Sequence, residues 1–157
     1  ISTISGTSAV GSMVVFEDGE PRKSQYRKFK IKTGKGANDY AMLAEVLRRR
    51  FARASLPLAK GETEGVSTWP MPDLIMVDGG WGQVNIAKEI LREKKLTIPV
   101  VGIAKGFDRK QDRLIYPKDH PELGRVVEQY KVILQRLRDE AHRFAIGYHR
   151  KLRGKLT

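Results

Sequence analysis

The 157-residue sequence contains no cysteine, and none of its apolar runs approaches the roughly 20 residues that a membrane-spanning helix requires. The absence of cysteine excludes a disulfide framework and thiolate metal sites. A charged-then-apolar leader is also missing, so we expect a cytoplasmic protein. The chain is long enough to bury a core without covalent support, and we expect a single domain over residues 1–157.

Acidic residues are scarce relative to basic ones, since 30 Lys and Arg stand against 18 Asp and Glu, for a formal net charge of +12. A positive field concentrates polyanions at the surface and makes their binding depend on salt. The alternative is a basic surface that only keeps the protein soluble, but the Lys and Arg residues cluster, which favours contact with nucleic acid. Zinc-finger, RNP and basic-zipper motifs are missing, so we expect recognition of backbone and shape, not base sequence.

The first third of the chain predicts three antiparallel strands. Residues 1–6 have the pattern of a strand end, and Ser8–Phe16 is rich in small and β-branched residues. Tyr26–Lys32 alternates apolar and basic side chains, so one face is predicted to pack inward. The pair Asp18-Gly19 between these segments predicts a tight hairpin turn.

A helix is predicted next, because apolar residues recur at helical spacing after Asn38 and Asp39, either of which could cap it. The helix is predicted to end in a basic cluster that reaches Arg53, where cations suit the helix dipole. Residues 54–72 have no clear period and contain several prolines and glycines. This segment therefore predicts an inserted, flexible surface loop.

The second half contains two short apolar runs, Leu74–Val77 and Ile98–Ala104, joined by a helical pattern. Such runs predict parallel strands that are covered on both faces, within a β-α-β unit. A small charged hairpin over Phe107–Pro117 and a final helix over Gly124–Lys151 follow. The whole order predicts an α/β fold of the ribonuclease H-like type, a mixed sheet of three antiparallel and then two parallel strands, with helices on both faces.

Asp78 is the first candidate for chemistry, because it ends the first parallel strand and precedes Gly79-Gly80. Ligands of open α/β sheets bind beyond the carboxyl ends of the parallel strands. A carboxylate at that place, followed by glycines that let a phosphate or a metal approach, suits Mg²⁺ or Mn²⁺. The competing interpretation is that Asp78 only caps the next helix.

Three further residues are catalytic candidates. Lys105 ends the second parallel strand as Asp78 ends the first, and it could hold a phosphate; a simple strand-end lysine is the alternative. His142 lies at the border of the apolar stripe of the last helix, where it could ligate a metal, move a proton or be a bystander. Asp39 could point at the sheet edge, although a helix-capping role explains it equally well.

Basic residues near these positions are candidates for phosphate contacts. The predicted DNA-binding set comprises Arg48, Arg49, Arg50, Lys105, Arg138, Arg143 and Arg150. The apolar stripe beside them allows the alternative that some belong to the solvated face of an amphipathic helix.

Several blocks of the sequence, in order along nearly the whole chain, resemble the C-terminal endonuclease domain of UvrC. The most specific block is Arg138–Ala145 in the last helix. The others are Ile1-Ser2, Gly6-Thr7, Ser12–Phe16, Tyr26–Ile31, Asp39-Tyr40, Val46–Arg50, Val77–Gly80 with Gln83, and Gly102–Lys105. Residues 54–72 would be an insertion in this pattern.

UvrC is the nuclease subunit of bacterial nucleotide excision repair. The resemblance implies a ribonuclease H-like endonuclease that depends on Mg²⁺ or Mn²⁺ and cuts damaged duplex DNA on the 5′ side of a lesion. It implies UvrB, which holds the damaged DNA, as partner, and a part in the SOS response. It also implies that Asp78 and His142 belong to the catalytic and metal-binding set, with Asp39 at a further acidic position of the family.

The family has another catalytic aspartate immediately before the Ile-Ser that opens this sequence. We therefore expect the 157-residue chain to bind metal weakly and to cleave poorly by itself, while it still binds DNA. The family's N-terminal nuclease domain, UvrB-binding segment and helix-hairpin-helix module are not visible in the sequence. The alternatives are a non-catalytic nucleic-acid-binding or protein-docking module on the same fold, and another ribonuclease H-like nuclease.

Overall fold

The structure is a computed structural model that describes residues 1–4, 8–33, 38–52, 70–118 and 121–155, in which the chain forms eight strands and four helices. The strands are β1 (Ser2–Ile4), β2 (Val10–Met13), β3 (Phe16–Glu17), β4 (Glu20–Pro21), β5 (Arg27–Lys30), β6 (Ile75–Asp78), β7 (Val100–Ala104) and β8 (Arg113–Ile115). The helices are α1 (Asp39–Arg50), α2 (Trp81–Glu93), α3 (Pro121–Gln129) and α4 (Lys131–Gly154). The predicted α/β class is confirmed. Most of the predicted inserted loop lies outside the described residues.

The first sheet is antiparallel, with β2 between β1 and β5. Gly11 in the middle of β2 lets α1 pack directly on this strand, because a β-carbon there would collide with Val46. Asp18 and Gly19 have φ angles of 53° and 80° and connect the short strands β3 and β4. The predicted tight turn is therefore confirmed.

The second sheet contains the parallel pair β6 and β7, with β8 antiparallel to β7. Ile1 connects the two sheets, since its nitrogen donates to the Met76 carbonyl at 2.9 Å and its carbonyl accepts from the Asp78 nitrogen at 3.2 Å. This alternation of hydrogen bonds is that of parallel strands. The antiparallel sheet therefore borders β6 at the end that carries Asp78.

Helices pack against both faces of the second sheet. Ile75 and Val77 join a core cluster with apolar residues of α1 and α2. Met76, between them in β6, belongs to a different cluster with Val127 of α3 and Leu134 of α4. Because successive side chains of a strand point to opposite faces, α1 and α2 cover one face and α3 and α4 the other.

Helix α1 begins as predicted at a capping side chain, because Asn38 Oδ1 accepts a hydrogen bond from the Ala41 nitrogen at 2.9 Å. Its end differs from the prediction. The helix stops at Arg50, not Arg53, and Phe51 leaves the helical path to enter the core, where it is 1% exposed.

The predicted continuous final helix over Gly124–Lys151 is wrong, because the chain forms α3 and α4 with a break at Tyr130 (φ −104°, ψ 21°). The bend lets Val127 before it and Leu134 after it pack against the same cluster of strand residues. Within the described ranges no helix combines the length and apolarity needed to cross a bilayer.

Candidate active site

Asp78 is held at the carboxyl end of β6 by both neighbouring strands. Its nitrogen donates to Ile1, and the next nitrogen along the chain, that of Gly79, donates to the Ile103 carbonyl of β7 at 3.1 Å. The Asp78 side chain is half-buried, and its Oδ2 accepts a hydrogen bond of 3.5 Å from the Ser2 hydroxyl. The backbone position of this carboxylate is therefore determined by strand pairing.

Neither acidic candidate caps a helix. The N-cap of α2 is Gly80, whose nitrogen donates to the Gln83 side chain at 3.1 Å. The N-cap of α1 is Asn38, so Asp39 is the first helical residue and not the cap. The capping interpretations of Asp78 and Asp39 are therefore wrong, and both carboxylates are left without that structural role.

Asp78 and Asp39 face the same small cleft, which has a volume of about 220 Å³. The lining residues are Ile1, Thr3, Asp39, Leu43, Asp78 and Gln83. Two carboxylates fit Mg²⁺, which proteins commonly hold through one or two carboxylates, several waters and the substrate phosphates. Among the residues with described positions, no group of three or more His, Asp and Glu side chains could hold an ion by itself.

His142 lies outside the cleft lining, but a series of contacts places it on the same face of the sheet as Asp78. The Ser12 hydroxyl donates to the Ala141 carbonyl of α4 at 2.7 Å. Ser12 lies opposite Ser2 in the antiparallel register, so both side chains point to one face, and Ser2 contacts Asp78. His142, adjacent to Ala141, is exposed. Its catalytic role stays a prediction.

Lys105 also lies outside the cleft, exposed at the carboxyl end of β7 beside the end of β6. The turn that follows it is anchored inside the domain, because the Gly106 nitrogen donates to Asp112 Oδ1 at 2.9 Å. The position of Lys105 therefore depends on a buried carboxylate.

Asp112 is the centre of a buried polar network that is not evident from the sequence pattern. It is 3% exposed, and its Oδ2 accepts hydrogen bonds from Gln135 at 3.1 Å and from the Arg138 guanidinium at 2.9 Å. Burial alone would raise the pKa of Asp112. The hydrogen bonds from Gly106, Arg138 and Gln135 outweigh it and lower the pKa to about 2. The network fastens the turn after β7 to α4.

Two of the predicted DNA contacts are buried, which corrects their predicted placement on the surface. Arg138 is 8% exposed and pairs with Asp112. Arg50 is also 8% exposed, and its guanidinium donates to the Pro70 carbonyl at 2.8 Å. Burial, assisted by the nearby charge of Arg27, lowers the pKa of Arg50 to about 10. Helical periodicity could have identified Arg138, because it lies one turn from the apolar Leu134 and Ala141.

The other predicted DNA contacts are on the surface. Lys105 and Arg150 are exposed. The three remaining arginines form surface ion pairs, Arg48 with Glu93, Arg49 with Glu45 and Arg143 with Glu140. Such pairs are worth about 1 kcal/mol or less, so a phosphate can replace the carboxylate at little cost.

The two glycines after Asp78 are expected to differ in their tolerance of a side chain. Gly79 has φ +150° and the Gln83 side chain lies against its α-carbon, whereas Gly80 has φ −96° and open space around it. We expect Gly79→Ala to lower the free energy of unfolding by about 1–3 kcal/mol through backbone strain and loss of the Gln83 contact. Gly80→Ala, the matched control, should change it by less than about 1 kcal/mol. Thermal denaturation of both variants measures the difference, and equal melting temperatures would contradict it.

A basic α/β domain with two carboxylates in a cleft beyond its parallel strands is typical of enzymes that hydrolyse phosphodiesters with the help of a metal ion. A comparison with protein families shows which family within this class of enzymes the chain matches. The model of the UvrC RNAse H endonuclease domain matches residues 1–146, and the chain belongs to this family. The predicted family is therefore confirmed.

Relatives in several organisms support the same assignment. The UvrABC system protein C of Lachnospira eligens is 49% identical over 156 residues, that of Chlorobium chlorochromatii is 50% identical over 161, and that of Methanococcoides burtonii is 48% identical over 157. The alignments cover 99%, 99% and 98% of this chain but 25%, 23% and 24% of the relatives. The chain thus spans about a quarter of the length of these proteins.

Proposed function

We propose that the domain is a metal-dependent DNA endonuclease which, within a UvrC-type protein, hydrolyses a phosphodiester on the 5′ side of a lesion. The observation that carries the proposal is the cleft shared by Asp78 and Asp39, two carboxylates that do not cap their helices. The net charge of +12 favours a polyanionic substrate. Damaged duplex DNA and UvrB are the proposed partners of the whole protein, in the cytoplasm.

Each candidate residue has a distinct part in this proposal. Asp78 and Asp39 would hold Mg²⁺ or Mn²⁺ in the cleft, and such an ion would supply polarisation of the scissile phosphate and activation of a water molecule. His142, on the same face of the sheet as Asp78, completes the metal shell or moves a proton. Lys105 contacts the phosphate and stabilises the negative charge that develops on it.

The proposal includes a single sheet of the ribonuclease H type. The two hydrogen bonds of Ile1 join β1 to β6, and this supports the order β5-β2-β1-β6-β7-β8 across both sheets. In such a sheet β1 and β6 would be parallel neighbours, and their adjacent ends would contribute to one site.

The experiment that tests the proposal uses a full-length UvrC carrying this domain, together with UvrB and a duplex with one defined lesion. We expect a cut on the 5′ side of the lesion when Mg²⁺ or Mn²⁺ is supplied, and its loss when a chelator removes the ion, because the cleft residues alone do not activate water. Undamaged duplex is the control. Incision that persists without divalent metal would contradict the mechanism, and preferred cleavage of an RNA–DNA hybrid would favour another ribonuclease H-like activity.

A further inference from the structure

Three aromatic side chains are exposed close to the candidate site. Tyr40 is 45% exposed, Trp81 is 48% exposed and Phe107 is 96% exposed. Each follows one of the site residues Asp39, Asp78 and Lys105 by three positions or fewer. We call these three side chains the aromatic rim.

The fold brings the rim to the carboxyl ends of the parallel strands. Trp81 is the first residue of α2, which begins directly beyond β6, and Phe107 lies just beyond the end of the neighbouring strand β7. Tyr40, in the first turn of α1, packs its ring against Gly82, where a β-carbon would collide with it. Tyr40 therefore lies against the first turn of α2, the turn that begins with Trp81.

Phe107 has almost no contact area within its own domain, yet the turn that carries it is well supported. Gly106, the residue before it, donates to the buried Asp112. The Asp108 carboxylate, directly after it, accepts hydrogen bonds from the nitrogens of Lys110 at 2.8 Å and Gln111 at 3.1 Å. A phenyl ring presented to solvent on such a turn forgoes the favourable burial of a Phe side chain, and together with Tyr40 and Trp81 it gives this end of the sheet three exposed aromatic rings.

The surroundings of the rim favour a nucleic acid base as its ligand. Lys105 and Lys110 lie two positions before and three positions after Phe107 and both are exposed, so the segment that carries the ring also carries positive charge. Aromatic rings combined with a basic surface bind single-stranded nucleic acid, because every base offers a flat face and every nucleotide a phosphate. In a paired duplex these faces are covered by their neighbours.

We propose that the aromatic rim stacks against unpaired bases of the DNA strand next to the scissile phosphate. The inference rests on the proposed function, because it requires DNA at the cleft. In addition, the domain is expected to bind DNA with an unpaired stretch more tightly than fully paired DNA. The preference arises from base stacking and not from base sequence.

Fluorescence anisotropy with the 157-residue chain tests the rim on two DNAs of equal length, one fully paired and one with a short central bubble containing 2-aminopurine. We expect Phe107→Ala to weaken binding of the bubble about tenfold, with little change for the paired duplex. The salt dependence should be unchanged, because no phosphate contact is lost.

Phe107→Trp should bind the bubble like the unmodified chain, and Phe107→Leu like the alanine variant. Val126→Ala is the control, since this residue is 45% exposed in a groove at the opposite end of β7.

The quenching of 2-aminopurine gives a second readout, since stacking on an aromatic ring quenches it and Phe107→Ala should restore its emission. Salt-dependent binding with equal affinities for the bubble in the unmodified chain and in Phe107→Ala would overturn the inference and leave the proposed function standing. Retention of the bubble preference in Phe107→Leu would also overturn it. The absence of salt-dependent binding to either DNA would instead count against the proposed function.

Discussion

Asp78→Asn in a full-length UvrC that carries this domain is expected to reduce incision on the 5′ side of a lesion by at least about a hundredfold. The substitution keeps the size and shape of the side chain but removes the negative charge that the proposed ion requires. The measurement is the initial rate of 5′ incision with UvrB on a lesion-bearing duplex. An incision rate within a few fold of the unmodified protein would contradict the assignment of Asp78.

Two properties should stay unchanged in Asp78→Asn if the loss is chemical and not structural. The melting temperature should be retained, because backbone hydrogen bonds to Ile1 and Ile103 fix this position, and an asparagine side-chain oxygen can still accept from the Ser2 hydroxyl. DNA affinity should change by less than a few fold, because the basic surface is untouched. Asp73→Asn is the matched control, since Asp73 is an exposed aspartate just before the other end of β6.

The position of Asp78 could be predicted because it depends on local pattern. A short apolar run that stops at Asp-Gly-Gly predicts a buried strand and its end, and parallel strands place their carboxyl ends at one edge of the sheet. Whether Asp78 and Asp39 cap helices could not be predicted from the sequence. The structure excludes both caps, since Asn38 and Gln83 make the capping hydrogen bonds, and the catalytic role of the two carboxylates stays a prediction.

The buried network of Asp112 could not be predicted, because its members come from separate elements. Asp112 precedes β8, while Gln135 and Arg138 belong to α4, and only the packing of α4 on the sheet brings them together. Helical periodicity indicates that Arg138 lies near the apolar stripe, but it does not identify the buried carboxylate that pairs with it. Burial within the folded domain changes its partner from a phosphate to a carboxylate.

Asp112→Ala is expected to lower the free energy of unfolding by about 3–5 kcal/mol, since it removes the buried counter-charge of Arg138 and leaves only the half-exposed Asp139 beside the guanidinium. For a domain of this size the melting temperature should fall by about 6–20 °C. Glu93→Ala is the control. It breaks the Arg48–Glu93 pair, whose side chains are 53% and 50% exposed, and should cost about 1 kcal/mol or less. Equal losses in the two variants would contradict a structural role for the buried pair.

The pH dependence of stability provides an independent check. The pKa of Asp112 is lowered in the folded protein from 3.8 to about 2, so its contribution to stability is present above pH 3.8. That contribution is lost as the pH falls towards 2, because the folded state must then bind a proton at an unfavourable site. Chemical denaturation of the unmodified protein should show this loss. It should be smaller in Asp112→Ala, where only the other carboxylates with lowered pKa values, such as Glu45 and Glu140, still contribute.

The double variant Asp112→Leu with Arg138→Met distinguishes two contributions to the free energy of unfolding. One is the loss caused by a buried charge without its partner, and the other is the net stabilisation by the intact ion pair. Replacement of a buried ion pair by apolar residues of similar volume is often neutral or stabilising, so the double variant should be more stable than Asp112→Ala alone. The Gly106 nitrogen would still lose its acceptor, and the turn that carries Lys105 and Phe107 would be less well held. We therefore expect the double variant to recover stability but to lose preference for DNA with unpaired bases. A double variant as unstable as Asp112→Ala would show that the hydrogen bonds of Asp112, and not the charge on Arg138, dominate the effect.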